Sequence, residues 1–131
     1  MSEQKYYVKL KSPKKHKYGA KKTVIDGIEF DSKAEALYYQ LHKHDKGMKM
    51  QEKFVLMDKF KLNGKAYREI AYKPDFTFYD DQGNLIKVVD VKGIMTPEFR
   101  IKSKLFASRY GMQIMVAKKV NSTLRFDEKL I

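Results

Sequence analysis

Pro74-Asp75-Phe76-Thr77-Phe78-Tyr79, a polar turn, and then Val88-Val89-Asp90-Val91-Lys92-Gly93 is the stretch on which the reading of this chain rests. Two apolar-rich segments flank Asp80-Asp81-Gln82-Gly83-Asn84, which predicts an antiparallel hairpin. With Gln82-Gly83 as a two-residue turn, Asp81 opposes Asn84 and every opposed pair of residue numbers sums to 165. Asp75 then faces Asp90, with Cβ atoms about 4.5–5.5 Å apart. Carboxylates so close repel and raise each other's pKa unless a cation lies between them. For an oxygen-only site the natural cation is a hard divalent ion, Mg²⁺. Strand alternation puts Asp90 and Lys92 on one face, and Val89, Val91, Phe76 and Phe78 on the other, which reads as core. A lysine two residues beyond a metal-binding aspartate can orient water and neutralise charge growing on a phosphate. The competing reading is a solvated hairpin in which Lys92 makes a surface salt bridge.

Nearer the N-terminus, Thr23 to Phe30 predicts a hairpin around Asp26-Gly27. Asp31-Ser32 opens a helix to about Lys46, with Ala34, Leu37, Tyr38 and Leu41 as its buried stripe and Gly47 as its stop. Met48 to Leu56 predicts one strand. A hairpin follows at Asn63-Gly64, with Phe60 and Leu62 before the turn and Ala66 to Ala71 after it. Lys73–Tyr79 and Leu85–Lys92 are the strands of the decisive hairpin. Thr96 caps a second helix that has Pro97 in its first turn, runs to Tyr110 and stops at Gly111. Met112 to Ala117 predicts a last strand, and Lys118 to Ile131 has no clear pattern. The order αβββαβ predicts an α/β fold with a central mixed sheet, mainly antiparallel, flanked by helices.

The 131 residues carry 28 Lys+Arg against 16 Asp+Glu, a net charge of +12. That length predicts one domain. With no cysteine there is no disulfide framework or thiolate site, and three histidines make an imidazole metal site a poor expectation. His42 and His44, two apart on a helix, point to different sides. No apolar run suits a membrane span and the N-terminus has no apolar leader pattern, so a soluble, cytoplasmic protein with no membrane partner is expected. Eight basic residues and one acid fall between Met1 and Lys22. Residues 1–17 read as a basic flexible arm and 18–131 as the single folded domain. The excess charge predicts a polyanionic partner, first of all nucleic acid. Lys14, Lys15, Lys17, Lys21 and Lys22 of the basic N-terminal segment are expected at phosphates, together with Arg100 and Lys104 of the second helix. A solubilising tail and a solvated helix face are the plain alternatives.

These residues resemble the PD-(D/E)xK nuclease superfamily, in which Pro74-Asp75 and Asp90-Val91-Lys92 match the motif across a short hairpin. The surroundings are similar to a small phage and prophage branch of Holliday-junction-resolvase-like proteins, to the transposon-end endonuclease subunit and to the very-short-patch repair endonuclease. The features are Tyr18-Gly19-Ala20-Lys21, Phe30-Asp31-Ser32-Lys33-Ala34-Glu35, Gln51 with Phe54 and Leu56, Tyr72-Lys73-Pro74-Asp75-Phe76, and a helix with Phe99, Lys102 and Leu105. The resemblance spans about Tyr18 to Lys119. It implies a restriction-endonuclease-like core and a metal-dependent DNA endonuclease, a phosphodiester hydrolase acting in phage recombination or replication within a bacterial host cell. It further implies Mg²⁺, replaceable by Mn²⁺, held by Asp75, Asp90 and the Val91 carbonyl, with Lys92 catalytic and Glu35 completing the site. A homodimer would suit cleavage of two strands.

Three residues keep two readings. Ser32-x-x-Glu35 is also a capping box, in which Glu35 would bond back to the Ser32 N–H. Gln51 either touches metal-bound water or phosphate, or is an ordinary polar strand residue. Lys102, in line with Phe99 and Phe106, either snorkels toward the site or stays solvated. At the level of function, the alternative is a non-catalytic DNA-binding or packaging accessory that keeps a nuclease-like fold.

Overall fold

The computed structural model describes residues 22–131. The expected arm over residues 1–17, with Lys14, Lys15 and Lys17, and also Lys21, lies outside the described residues. At Asp26 and Gly27 the backbone turns with positive φ at both positions, closing β1 (Thr23–Ile25) on β2 (Ile28–Phe30). Ser32 caps α1 (Lys33–His42) by accepting from the Glu35 N–H at 3.1 Å. The helix stops at His42 rather than Lys46, because the Asp45 N–H turns back to the His42 carbonyl and tight turns lead to Gly47. Its buried side centres on Ala36 and Tyr38, whereas Leu41, expected inside, is 48% exposed.

The strand expected over Met48–Leu56 is two strands, β3 (Met48–Met50) and β4 (Phe54–Met57). Gln51 divides them: its φ of 55° takes the chain out of the pleat. β5 (Phe60–Leu62) and β6 (Lys65–Tyr67) meet at the Asn63-Gly64 turn, and β7 (Ile70–Tyr72) returns along β4. β8 (Phe76–Tyr79) and β9 (Leu85–Val91) form the central hairpin. α2 (Pro97–Tyr110) begins at the Thr96 cap and ends at Gly111 in the left-handed conformation, as its residues predict. β10 (Met115–Lys119) starts later than expected, and the patternless C-terminus forms β11 (Phe126–Leu130).

Five strands make a mixed sheet in the order β11-β10-β9-β8-β3, parallel between β10 and β9 and antiparallel elsewhere. Both faces are covered. Phe76, Phe78 and Val89 pack with Phe30, Ala36 and Tyr38 from β2 and α1. On the opposite face Val88 packs with Leu56, Tyr72, Phe99, Phe106 and Ile114, from β4, β7, α2 and the turn into β10. Each fully buried aromatic in these layers contributes about 1.5–3 kcal/mol. The polar face expected around Asp90 is therefore polar only at its end, because Val88 two residues earlier is part of a second core. No helix among the described residues is long and apolar enough to cross a membrane.

Candidate functional site

The register of the central hairpin positions the acids. Phe76 pairs with Val89, Thr77 with Val88 and Phe78 with Lys87, the alignment that continues to Asp75 and Asp90. The turn reaches that alignment by another route than expected. Asp80 rather than Asp81 meets Asn84, through the Asp80 N–H to the Asn84 carbonyl at 2.9 Å. The Asp80 carboxylate also accepts from the Gln82 and Asn84 N–H groups, which holds its pKa below the ordinary value. Tyr79 pairs with Leu85, and a bulge before Lys87 then restores the predicted register.

Three strand ends line up at one edge of the site. Met50 pairs with Phe76, so Gln51 follows beside Asp75, and its N–H reaches the Asp75 carbonyl at 3.4 Å. The Gln51 Nε2 lies 3.5 Å from Asp75 Oδ1. Asp75 Oδ2 accepts from the Val91 N–H at 2.8 Å. Val91, expected to act through its carbonyl, thus meets Asp75 through its amide.

Asp90 is 5% exposed and doubly engaged. The Tyr72 hydroxyl donates to its Oδ2, and the Lys92 Nζ lies 3.2 Å from its Oδ1. Lys92 is held in turn over the buried ring of Phe99, 4.3 Å from the centroid. Helix α2 therefore fixes the lysine through an aromatic face. Neither Tyr72 nor Phe99 was assigned a site role from sequence. Tyr72 lies eighteen residues from Asp90 and is brought in by the β4–β7 pairing, which no local pattern announces.

Glu35 joins this group from the first turn of α1. Burial raises its pKa from 4.5 to about 7, reinforced by the charges of Asp31 and Asp90 and opposed by hydrogen bonds with Asp75 and the Asp31 backbone. The Asp75 pKa is also raised, by burial first and then by Glu35 and Asp90, against the Val91 N–H and the Lys92 charge. Tyr72 is held firmly neutral by burial and by the Asp90 carboxylate. Only half of the expected capping box forms: Ser32 receives the Glu35 N–H, while the Glu35 carboxyl turns to Asp75 and the Asp31 backbone.

The remaining expected residues fall elsewhere. Lys102 does not reach the site; it pairs with Glu98 one turn earlier at 3.2 Å, because that acid lies nearer along its own helix. Arg100 and Lys104 are exposed on α2, and Lys22 lies 3.5 Å from Glu29. His42 stacks on Tyr38 and contacts Asp45, away from the acids.

For a divalent cation, the donor chemistry fits. Oxygen-bearing side chains converge, and burial and mutual repulsion raise the proton affinity of two of them, a condition that a hard cation relieves. Among the described residues no group of three or more His, Cys, Asp or Glu is placed to hold a metal ion. A complete carboxylate cage is thus not preassembled.

Residues 15–127 match the family described as protein of unknown function (DUF1064), and the chain belongs to that family. No curated protein and no solved structure matches the chain.

Proposed function

We propose that this protein is a metal-dependent DNA endonuclease of the PD-(D/E)xK type. The observation that carries the reading is the alignment of Asp75, immediately before β8, with Asp90 of the neighbouring β9, and the Lys92 ammonium 3.2 Å from Asp90. The order α1-β3-β8-β9-α2-β10 around the mixed sheet supports it, as does the net charge of +12. Asp75 and Asp90 would hold Mg²⁺, or Mn²⁺ in its place, with Glu35 as a third carboxyl. When bound, such an ion polarises a phosphate and lowers the pKa of water. Lys92, poised on the Phe99 ring, places a positive charge where a phosphodiester gains negative charge during hydrolysis. Gln51 offers an amide beside Asp75 to orient water or a phosphate oxygen. Arg100, Lys104 and the basic N-terminal segment hold the DNA backbone.

The test is cleavage of branched, nicked and linear DNA in Mg²⁺, Mn²⁺ or EDTA. Asp75→Asn and Lys92→Ala are each expected to lower the rate at least about 100-fold, as losing a charge-stabilising group at a reacting centre does. Unchanged cleavage in both variants would remove the site from the mechanism.

A second reading, a DNA-binding or packaging accessory without catalysis, is favoured by the engagement of both Asp90 oxygens with Tyr72 and Lys92. Calorimetric titration separates the two. Saturable Mg²⁺ or Mn²⁺ binding that Asp90→Asn abolishes supports the nuclease, and DNA binding with no specific metal site supports the accessory.

A further inference from the structure

The chain from Phe54 to Tyr72 is one long two-stranded ribbon with two different halves. Its root, β4 with β7, buries Leu56 and Tyr72 against α2, and Tyr72 goes on to touch Asp90. Its tip, β5 with β6, is covered by no other element among the described residues: all residues from Lys59 to Arg68 are exposed. Asn63 and Gly64, both at positive φ, close the tip in a tight turn. At about 3.3 Å per residue, the strand from Asp58 to Leu62 extends roughly 15–20 Å beyond the root. Two ion pairs pin its base, Asp58 to Arg109 of α2 and Glu69 to Lys53.

The two faces of the tip differ. Phe60 pairs with Tyr67 across the strands, and their rings stack with centroids 4.6 Å apart and planes 7° from parallel. Leu62, 57% exposed, shares this face, and the Lys65 ammonium lies over the Tyr67 ring at 5.1 Å. The opposite face carries Lys61 beside Ala66 and, continuing the alternation, Lys59 and Arg68. Between Asp58 and Glu69 there are four cations and no acid. An exposed aromatic stack costs solubility and contributes nothing to either core, so it calls for a ligand. The surrounding charge restricts that ligand to a polyanion with flat apolar faces.

We propose that the β5–β6 ribbon binds unpaired nucleotides, with Phe60, Leu62 and Tyr67 receiving bases and Lys59, Lys61 and Arg68 tracking the phosphates. Base-paired DNA fits less well. A duplex groove presents hydrogen-bonding edges, which are read by Arg, Asn and Gln, whereas the face here presents rings and a leucine. Single strands offer π-faces, and stacking them on aromatic side chains is the sequence-tolerant mode of binding. The inference rests on the DNA reading above but not on cleavage. It deepens that reading by making DNA with a single-stranded segment (a fork, gap or tail) the preferred substrate class.

The experiment is fluorescence anisotropy in EDTA, where no cleavage occurs, using the full chain. The probes are a labelled mixed-sequence single strand, a blunt duplex of the same length and a duplex with a single-stranded tail. Wild type is expected to bind the single strand and the tailed duplex at least about five-fold more tightly than the blunt duplex. Phe60→Ala with Tyr67→Ala is expected to weaken the first two about ten-fold or more, and the blunt duplex less than two-fold. Leu62→Ser, at the exposed tip and outside the stack, is expected to shift binding in the same direction by a smaller factor. It guards against a collapsed hairpin, and circular dichroism checks that each variant folds. Lys59→Ala with Lys61→Ala is expected to flatten the salt dependence on every probe. Single-strand binding unchanged by both aromatic and leucine variants overturns the proposal. So does a wild-type dimer in sedimentation that these variants convert to monomer without altering nucleic-acid binding, since the face would then belong to a second copy. A ribbon that binds as expected in a protein that cuts nothing would reject the nuclease and keep the inference.

Discussion

Glu35 and Asp75 are carboxyl groups that the fold brings together in crowded surroundings, and the consequence is a protein whose stability depends on pH in an unusual direction. Glu35 has its pKa raised to about 7, chiefly by burial. A carboxyl raised in the folded state stabilises the fold while protonated, so its contribution is complete below the unfolded value near 4.5. That contribution is lost as pH climbs through about 7. In EDTA, thermal unfolding followed from pH 5 to pH 8 is expected to show a falling midpoint. The loss is on the order of 3 kcal/mol, at roughly 1.4 kcal/mol per unit and shared with Asp75. Glu35→Gln is expected to flatten the profile, and Mg²⁺ to restore the midpoint at pH 8. A wild-type profile that is flat in EDTA would show that neither burial nor the neighbouring carboxyls raise the Glu35 and Asp75 pKa values in the folded protein. Tyr72 makes a separate claim at this scale. Tyr72→Phe deprives a buried carboxylate of a donor and is expected to cost about 1–3 kcal/mol in urea unfolding. In an Asp90→Asn background the same change is expected to cost less.

Among the elements, Gly47 is the joint on which the acidic edge depends. It sits at φ 84° between α1 and β3, its carbonyl accepts the Tyr79 N–H at 3.0 Å, and a Cβ there would meet the Tyr79 carbonyl oxygen at 2.2 Å. Gly47→Ala is expected to destabilise by about 2–4 kcal/mol, combining backbone strain with an overlap against a strand that cannot yield. Gly83→Ala, also at positive φ but with open space around it, is expected to cost only about 1 kcal/mol. Equal losses in urea titrations of the two would refute the steric account.

The same element scale explains what could be read beforehand. Alternation in Phe76–Tyr79 and Val88–Val91 gives faces but not register. In sequence the alignment of Asp75 with Asp90 follows from a Gln82-Gly83 turn that does not form, and it holds because a bulge offsets the longer turn. The bulge before Lys87 was not legible, since it corrects a three-residue turn without leaving a mark in the alternation. The break at Gln51 was hidden because a non-glycine residue at positive φ has no compositional signature. β11 escaped notice for a related reason: Asp127 to Leu130 are all exposed, so an edge strand formed by pairing with β10 has no apolar period to betray it. The two readings of Lys102 stayed open in the sequence because helical spacing gives a direction but not a partner; Glu98, one turn earlier, is the partner it takes.

Across the whole molecule, the buried acids Glu35, Asp75 and Asp90 gather where α1, β8 and β9 meet, while excess positive charge falls on the ribbon tip, on α2 and, by sequence, on the N-terminal segment. A polyanion is therefore attracted by the periphery and repelled by the acidic cluster unless a cation lies there. That arrangement ties strand binding to ionic strength and, on the reading proposed above, the cutting step to divalent metal. The N-terminal contribution can be measured alone. Deleting Met1 to Lys17 removes Lys5, Lys9, Lys11, Lys14, Lys15 and Lys17 together with Glu3. On duplex DNA each phosphate contact contributes about −0.9 to the slope of log K against log salt. The deletion is expected to weaken binding at low salt and to make that slope shallower by up to about five. The fold is expected to persist, because among the described residues the strands of the five-stranded sheet and the side chains of both cores all come from beyond Lys22. If far-ultraviolet circular dichroism and the slope are both unchanged, the N-terminal lysines do not touch phosphate, and the charges on the ribbon and α2 must account for the salt dependence by themselves.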